Sequence, residues 1–336
     1  MGAPLAGAVA AGLGLASTAA AQGPIVTWGD DLGPLRPPPG HYTQVSVGSA
    51  HALALRPDGT MAGWGSNFFG QATPQPGRFL SVSAGFENSV ALREDGVAVS
   101  WGQNDWGQGT TPAGTFTKVA AGYRTAAGIR PDGTLHVWGL SSGPGYEVPS
   151  GTFVDVSVGV GFLAAVRTDG TLVAWGTWTG VPAGTFTAVN AAGGWAVGLR
   201  TDGTLAMFGP YASLFEPVPT GSFVQLGRSS AGHPSAVRSD GSIAAWGTMP
   251  VIHNPPPGRY RSVSMQTYAG LAVLACYANC DNSTSAPLLT ANDFQCFLNR
   301  YAQADTYANC DGSTGSPLLT ANDFQCFLNR FAEGCS

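Results

Sequence analysis

Short apolar runs separated by glycine-containing turns occupy most of the chain. In one segment the runs 79–84, 90–93 and 97–101 are rich in apolar or β-branched residues, and each is bounded by Gly or by Asp-Gly. Asp-Gly between two such runs is a strong hairpin signal, and we expect a type I′ turn there. The pattern therefore predicts three short antiparallel strands in this segment.

The same unit recurs along the chain. An Arg-x-Asp-Gly sequence occurs six times at intervals of 33 to 38 residues, and six positions after each Asp stands an aromatic residue followed by Gly. The Asp residues are Asp58, Asp95, Asp132, Asp169, Asp202 and Asp240, and the aromatic residues are Trp64, Trp101, Trp138, Trp175, Phe208 and Trp246. Repeated units of this size with three or more strands predict a β-propeller, in which the Trp packs between neighbouring blades.

The two ends of the repeat region are complementary. Residues 25–29 end in Trp28-Gly29 but have no Arg-x-Asp-Gly before them, whereas residues 260–275 open a repeat that never reaches Asp-Gly or Trp-Gly. If the first segment completes the last repeat, the count of blades is seven. The predicted fold class is therefore all-β: a seven-bladed β-propeller closed by the N-terminal strand, which leaves no open edge.

Two copies carry a longer signature. Residues 64–71 and 101–108 read Trp-Gly-x-Asn-x-x-Gly-Gln, and with the preceding Arg-x-Asp-Gly they resemble the regulator of chromosome condensation repeat. The resemblance extends over residues 24–275 and implies a seven-bladed propeller, in agreement with the count. Functions in that family range over nucleotide-exchange stimulation, enzyme inhibition and light sensing, so the repeat itself selects none of them.

Strand alternation places the Asp-Gly turns on one rim, which we call the constant rim, and the other loops on the opposite, variable rim. The variable rim includes the loops Phe86-Glu87-Asn88 and Tyr123-Arg124. Variation on a rigid scaffold, with many aromatic residues, is typical of a recognition surface. The alternative is that these aromatic residues pack beneath their own loops. The candidate binding residues are His51, Phe68, Phe69, Glu87, Asp105, Trp106, Arg124, Phe162, Trp178, Trp195, Tyr211 and His233.

Composition and charge limit the classes of partner that this chain is expected to bind. Only 10% of residues are charged, the net charge is -5, and Lys118 is the single lysine, so a nucleic acid or an anionic membrane is not an expected partner. Residues 1–21 read as a secretory signal peptide, and no later segment is apolar for the length of a membrane span. We therefore expect secretion to the extracellular space or the cell surface, where cysteines form disulfides.

Residues 276–336 differ from the rest and hold all six cysteines. Segment 277–302 is repeated at 307–332, and each copy predicts a polar loop followed by a helix that Thr290 caps with Asp293 as its return partner. Phe294, Phe297, Leu298 and Tyr301 fall on one apolar stripe, so we expect the two helices to pack face to face about a pseudo-twofold axis. Of the 15 possible disulfide pairings, the duplication suggests Cys280–Cys296, Cys310–Cys326 and Cys276–Cys335.

This tandem resembles a dockerin of the cysteine-containing bacterial type that ends in Gly-Cys, here Gly334-Cys335. The resemblance implies a Ca²⁺-binding module that docks onto a cohesin-type protein or another cell-surface anchor. The implied Ca²⁺ ligands are Asn279, Asp281, Ser283, Thr290 and Asp293 in the first copy, and Asn309, Asp311, Ser313, Thr320 and Asp323 in the second. Each loop is about three residues longer than the usual calcium loop, so a loop held by disulfides alone is the alternative.

The sequence thus favours a secreted, non-enzymatic recognition protein that is anchored through its C-terminal tandem. Its propeller ligand is an unidentified protein or polysaccharide, and the residues indicate no catalytic constellation. The alternative is a carbohydrate-active glycoside hydrolase or polysaccharide lyase, in which two rim carboxylates act as an acid/base pair. The carboxylates considered for that role are Glu87, Asp105, Glu147 and Glu216.

Overall fold

A computed structural model describes residues 23–29, 35–140, 147–215, 217–229, 232–248, 254–275, 291–302 and 320–333. These residues form 21 β-strands, two α-helices and a short 3-10 helix at Ala212–Phe215, so the fold is mostly β. None of the helices in this part of the chain is long and apolar enough to cross a membrane. The predicted signal peptide, residues 1–21, lies outside the described residues.

Within these ranges the strands pair into seven antiparallel three-stranded sheets. Sheet 1 has β2 (Gln44–Val47), β3 (His51–Leu55) and β4 (Met61–Gly65); sheet 2 has β5 (Phe79–Ala84), β6 (Asn88–Arg93) and β7 (Ala98–Gly102); sheet 3 has β8 (Lys118–Ala121), β9 (Thr125–Ile129) and β10 (Leu135–Gly139). Sheet 4 has β11 (Phe153–Val158), β12 (Phe162–Arg167) and β13 (Leu172–Gly176); sheet 5 has β14 (Phe186–Ala191), β15 (Ala196–Arg200) and β16 (Leu205–Phe208). Sheet 6 has β17 (Phe223–Leu226), β18 (Ser235–Arg238) and β19 (Ile243–Ala245); sheet 7 has β20 (Tyr260–Met265), β21 (Ala269–Leu274) and β1 (Ile25–Gly29).

The strand predictions are confirmed where they were made in detail. The run 79–84 is β5, and the runs 90–93 and 97–101 correspond to β6 and β7 with shifts of one or two residues at their ends. Residues 25–29 form β1, which pairs with β21 from Ile25 opposite Val273 to Gly29 opposite Ala269. The N-terminal strand therefore completes the sheet that the last repeat opens.

The expected type I′ turn at Asp-Gly is wrong. In the first copy the Gly59 N–H donates to the Arg56 carbonyl at 3.0 Å and the Arg56 N–H donates to the Thr60 carbonyl at 2.8 Å, the pattern of a three-residue loop with a bulge. The same pair of bonds occurs where the residue before Asp is not proline: the Gly96 N–H donates to the Arg93 carbonyl at 3.0 Å, and the Arg93 N–H donates to the Val97 carbonyl at 2.9 Å. The turn type therefore follows from the three residues that connect the strands, where a type I′ turn has two. Gly59 alone takes the left-handed conformation, at φ 81°.

Buried hydrophobic clusters join neighbouring sheets. Trp101 of sheet 2, for example, packs with Leu53 and Leu55 of sheet 1, which confirms the predicted place of this Trp between two sheets. Leu271 of sheet 7 and Val45 of sheet 1 likewise share a cluster. The contacts thus run from each sheet to the next and from the last sheet back to the first, which is a propeller-like arrangement.

The C-terminal repeats contain the helices α1 (Ala291–Ala302) and α2 (Ala321–Glu333). Phe297 and Phe327 are fully buried and stack with ring centres 3.9 Å apart. The cross pairs Phe294–Phe327 and Phe297–Phe324 lie at nearly equal distances, 6.2 and 6.3 Å. These matched distances confirm the predicted face-to-face packing of the two helices about a pseudo-twofold axis.

Candidate functional site

The constant rim is built alike in five of its six copies, and in the sixth Val97 takes the place of the Thr or Ser, so that Asp95 accepts the Val97 N–H without the second bond from a hydroxyl. The Asp58 carboxylate accepts hydrogen bonds from the Thr60 hydroxyl at 2.7 Å and from the Thr60 N–H at 2.9 Å, and these bonds lower the pKa of Asp58. The Gly59 carbonyl then accepts the N–H of Phe79, the first residue of the next sheet, at 2.8 Å. Each Asp-Gly turn therefore connects one sheet to the next, and its polar groups are already used within the fold.

On the variable rim, the two Asn-x-x-Gly-Gln loops share one hydrogen-bond pattern. In the second loop the Asn104 side-chain oxygen accepts the Gly109 N–H at 2.8 Å, and the Gln108 side-chain oxygen accepts the Trp106 N–H at 3.0 Å. Asn67 and Gln71 make the equivalent bonds in the first loop. In both loops these bonds leave the two middle residues exposed: Phe68 and Phe69 in the first, Asp105 and Trp106 in the second.

Four residues from three loops meet beside the second of these loops, and we call them the aromatic–arginine patch: Phe86, Trp106, Tyr123 and Arg124. The Arg124 guanidinium carbon lies 5.2 Å from the ring centre of Trp106 and 4.6 Å from that of Tyr123. Tyr123 meets Phe86 edge to face at 4.8 Å. Each stacking geometry stabilises the next side chain, so the patch is a preorganised surface of aromatic faces around one positive charge.

The backbone beneath the patch is also fixed. The Phe86 N–H donates to the Gly122 carbonyl at 3.0 Å, and the Arg124 carbonyl accepts the Leu140 N–H at 2.8 Å. The patch therefore spans sheets 2 and 3 on loops whose main chains are hydrogen-bonded to each other or to a neighbouring strand end.

The structure separates the twelve predicted binding residues into two groups. Exposed or half-buried are Phe68, Phe69, Glu87, Asp105, Trp106, Arg124, Trp178 and Tyr211, and buried are His51, Phe162, Trp195 and His233. Of the twelve, only Arg124 and Trp106 are joined within the patch, while Phe68 and Phe69 contact each other edge to face at 4.9 Å.

The four buried residues are corrections to the predicted surface, because they pack beneath their loops. The His51 ring nitrogen Nε2 bonds to the Ser89 hydroxyl at 2.9 Å, and burial lowers the pKa of His51 to about 4. Trp195 and His233 both lie against the ring of Phe215, and Phe162 belongs to the cluster between sheets 4 and 5. These side chains support the rim and offer it no accessible face.

Sequence reasoning missed a series of polar side chains that ties the first strands of neighbouring sheets together. The Ser46 hydroxyl accepts the Ala84 N–H and the Ser83 hydroxyl accepts the Ala121 N–H, both at 3.0 Å. Ser264 of sheet 7 accepts the Val47 N–H of sheet 1 at 2.9 Å. The signal was present as a Ser or Asn at the same place of five first strands: Ser46, Ser83, Ser157, Asn190 and Ser264.

The rim carboxylates proposed for catalysis are dispersed. Glu87 is half-buried in the loop before β6, Asp105 accepts a bond from Gln103 at 3.1 Å, and Glu147 is exposed. Glu216 lies outside the described residues. Among the described residues, no three His, Cys, Asp or Glu side chains are grouped as a metal site would require.

In the tandem, the structure describes a few of the predicted ligands and cysteines. Asp293 and Asp323 are fully buried in the first turns of their helices, and Asp323 accepts the Thr320 N–H at 2.7 Å, as predicted for a capping pair. Cys296 and Cys326 are each in a disulfide. Outside the described residues lie Asn279, Asp281, Ser283, Thr290, Asn309, Asp311, Ser313, Cys276, Cys280, Cys310 and Cys335, so the pairing and the Ca²⁺ ligands stay predictions.

The repeated turn, the indole contacts between sheets and the three-stranded units define a propeller-like fold, and two of its repeats are similar to the regulator of chromosome condensation (RCC1) repeat. The family model of the RCC1 repeat matches residues 42–71 and 79–108, which are the copies in sheets 1 and 2. No curated protein matches the chain.

Solved structures of similar fold include three propeller proteins. Prp20p from Saccharomyces cerevisiae is similar over 84% of this chain and 95% of its own, with a TM-score of 0.61 and 16% identity. Human WBSCR16 is similar over 75% of this chain and 99% of its own, with a TM-score of 0.59 and 17% identity. The ectodomain of the Arabidopsis thaliana receptor kinase ACR4 is similar over 72% and 91%, with a TM-score of 0.58 and 18% identity. At these identities the likeness shows the fold alone.

Proposed function

We propose that this chain is a non-enzymatic recognition protein whose aromatic–arginine patch binds a protein partner. The observation that carries the proposal is the stacking of Arg124 on both Trp106 and Tyr123 at an exposed rim. Trp, Tyr and Arg are the residues that dominate binding energy at protein interfaces, and stacked side chains lose little entropy when a partner binds. The positive charge of Arg124 favours a partner segment that combines an apolar side chain with a carboxylate.

The scaffold in this proposal is a seven-bladed ring over residues 24–275, closed by the N-terminal strand. Seven sheets, the pairing of β1 with β21, and the bonds from Ser262 and Ser264 to Val45 and Val47 support it. A closed ring holds the loops of sheets 2 and 3 at a fixed separation, as a preorganised surface needs. Yeast Prp20p, which has a similar fold, binds Gsp1p and histones, so protein recognition has a precedent on the fold.

The remaining parts of the proposal concern location. Residues 1–21 direct secretion, and residues 276–336 are a dockerin-like anchor that docks onto a cohesin-type protein or a cell-surface component. The buried carboxylates Asp293 and Asp323 at equivalent places, and the paired helices, support a duplicated loop–helix module. In this module the loops bind Ca²⁺ through the predicted ligands, and the disulfides Cys280–Cys296, Cys310–Cys326 and Cys276–Cys335 join its segments.

Quantitative capture from the surface fraction of the producing cell tests the recognition role. We expect Trp106→Ala or Arg124→Ala to lower the amount of captured propeller partner at least about tenfold, the loss of one interface hot spot. Thr60→Ala on the constant rim is the matched control and should capture as much partner as the unchanged chain. Equal capture by the patch variants and the control would refute the role of the patch.

Calorimetric titration with Ca²⁺ tests the anchor separately. If the loops bind Ca²⁺, a free concentration one hundred times Kd stabilises the tandem by about 2.7 kcal/mol, and chelation reverses this. Asp293→Asn with Asp323→Asn should abolish the heat of binding, while each amide keeps an oxygen that can cap its helix. An unchanged titration in the double variant would contradict these ligands, and no heat in the unchanged chain would favour loops held by disulfides alone.

A further inference from the structure

A polar cavity of about 310 Å³ is lined mainly by the first strands of sheets 3, 4, 5 and 6, and none of the four residues of the aromatic–arginine patch lines it. Its polar lining includes Lys118, Asp155, Asn190, Gln225 and Arg228. Two small residues, Ala188 and Gly227, also line it, on strand positions where other sheets carry Gln or Ser. The missing side chains leave a space as large as a small ligand site.

The charged residues that line this cavity are two cations and one carboxylate. The Lys118 ammonium lies 2.6 Å from Asp155 Oδ1, and the Asp155 side chain is only 7% exposed. Asp155 also accepts the Val156 N–H through Oδ1 and the Val189 N–H through Oδ2, both at 2.9 Å. Both carboxylate oxygens are therefore already bonded, whereas the Lys118 ammonium has three protons and Arg228 adds a second positive charge.

Asn190 adds a directed donor. Its side-chain oxygen accepts the Ser229 N–H at 3.4 Å, which orients the amide. The Asn190 residue is buried, and its Nδ2 group has no hydrogen-bond partner among the described residues. A buried amide N–H₂ without an acceptor is costly, so an acceptor supplied by a ligand would stabilise this arrangement.

We propose that this cavity binds a small free carboxylate, which Lys118, Asn190 and Arg228 hold by donating hydrogen bonds. Two cations and one carboxylate line the cavity. Lys118, Asn190 and Arg228 have N–H groups left to donate, and such donors fit a negatively charged acceptor. The cavity is formed by strands and is no larger than a small ligand site, so we commit to a free small molecule rather than to an acidic side chain of a partner protein.

Lys118 allows a direct test because it is the only lysine of the chain. Selective ¹⁵N labelling of lysine in the full chain gives one ammonium signal, which is titrated with sodium propionate at constant ionic strength. We expect a saturable shift with propionate and none with propionamide, which has the same shape and no charge. A shift of equal size with propionamide, or none with propionate, overturns the proposal.

Single substitutions test whether the shift of the Lys118 signal comes from binding in this cavity. Asn190→Asp keeps an oxygen for Ser229 but replaces the donor with a charge that repels the ligand, so the shift should disappear. Arg228→Gln should weaken propionate binding about tenfold, the loss of one charge-assisted hydrogen bond, and Arg78→Gln on the surface is the matched charge control. Undiminished binding in Asn190→Asp and Arg228→Gln contradicts the site, and tighter binding of an end-blocked glutamate peptide than of propionate contradicts the free ligand.

Discussion

The two rims of the propeller-like domain use similar residue types in different ways. On the constant rim, Arg130 stacks on Phe116, with its guanidinium carbon 5.0 Å from the ring centre, and Phe116 is buried. On the variable rim, Arg124 stacks on Trp106 at nearly the same distance, 5.2 Å, but Trp106 is exposed. The same contact stabilises a junction between sheets in the first place and presents a surface in the second.

Repetition distinguishes the two uses. The Arg-on-aromatic contact of the constant rim recurs with Phe153, Phe186 and Phe223, whereas the aromatic–arginine patch occurs once among the described residues. A contact that recurs from sheet to sheet stabilises the fold, whereas a contact that occurs at one position is available for recognition. The comparison makes predictions for stability on one rim and for binding on the other.

The largest difference is expected between two Phe residues. Phe116→Ala removes a buried ring from the cluster between sheets 2 and 3 and should lower the free energy of unfolding by about 3 to 5 kcal/mol. Phe68→Ala on the variable rim, where the ring is 87% exposed, should change it by less than about 0.5 kcal/mol. Urea unfolding measures both, and a large loss in Phe68→Ala would show that the variable rim is also structural.

A second prediction concerns His51, which lies under the variable rim. Burial lowers the pKa of His51 from 6.5 to about 4, so the unfolded chain takes up a proton at this residue at a higher pH than the folded chain does. The contribution of neutral His51 to the free energy of unfolding is therefore complete above pH 6.5 and is lost as the pH falls toward 4. About 3 kcal/mol of stability should be lost over this range. His51→Asn, with the residue found at the same strand position in sheet 2, should remove that part of the pH dependence.

The pH experiment has an internal control. Burial also lowers the pKa of His136, so some loss of stability below pH 6.5 should persist in His51→Asn. The difference between the two unfolding profiles isolates His51. Identical profiles from pH 7.5 to pH 4.5 would contradict its burial as a neutral side chain.

The smallest effect compares one glycine from each rim. Gly96 has φ 81° in its Asp-Gly turn, and Gly96→Ala should cost about 1 to 2 kcal/mol from the left-handed backbone alone. Gly193 on the variable rim has no positive φ and no atom within 4 Å of an added Cβ, so Gly193→Ala should be neutral or stabilise by up to about 1 kcal/mol. A greater loss of unfolding free energy in Gly193→Ala than in Gly96→Ala would contradict the greater sensitivity of the constant rim to an added side chain.

The sequence predicts those parts of the fold that repeat. Asp-Gly and Trp-Gly, six residues apart, locate the strands to within two residues, because hairpin turns and interior Trp residues impose local requirements that few other residues satisfy. The predicted turn type was wrong because three residues connect the two strands, whereas a type I′ hairpin has a two-residue loop. The N-terminal strand was predictable because each end of the repeat region lacks what the other supplies.

The binding surface was less predictable. His51, Phe162, Trp195 and His233 each stand seven residues before the Asp of their repeat, and Asn88 and Thr125 at the same position are also buried. The repeat therefore carried a signal that this position turns inward, which residue type alone did not reveal. Lys118 and Asp155 are 37 residues apart, one repeat, yet their ion pair depends on which sheet edges face each other. This ion pair depends on how two sheets pack, so the sequence of a single repeat does not predict it.

The central claim is that recognition belongs to the variable rim at the aromatic–arginine patch. A photo-crosslinking amino acid placed at Trp106, and in a second protein at Thr60 of the constant rim, tests it directly in the presence of the producing cell's surface fraction. The account predicts one dominant crosslinked protein from position 106, lost when Arg124→Ala is added, and no such product from position 60. Equal crosslinking from both rims, or a product from position 106 that Arg124→Ala leaves unchanged, would contradict it.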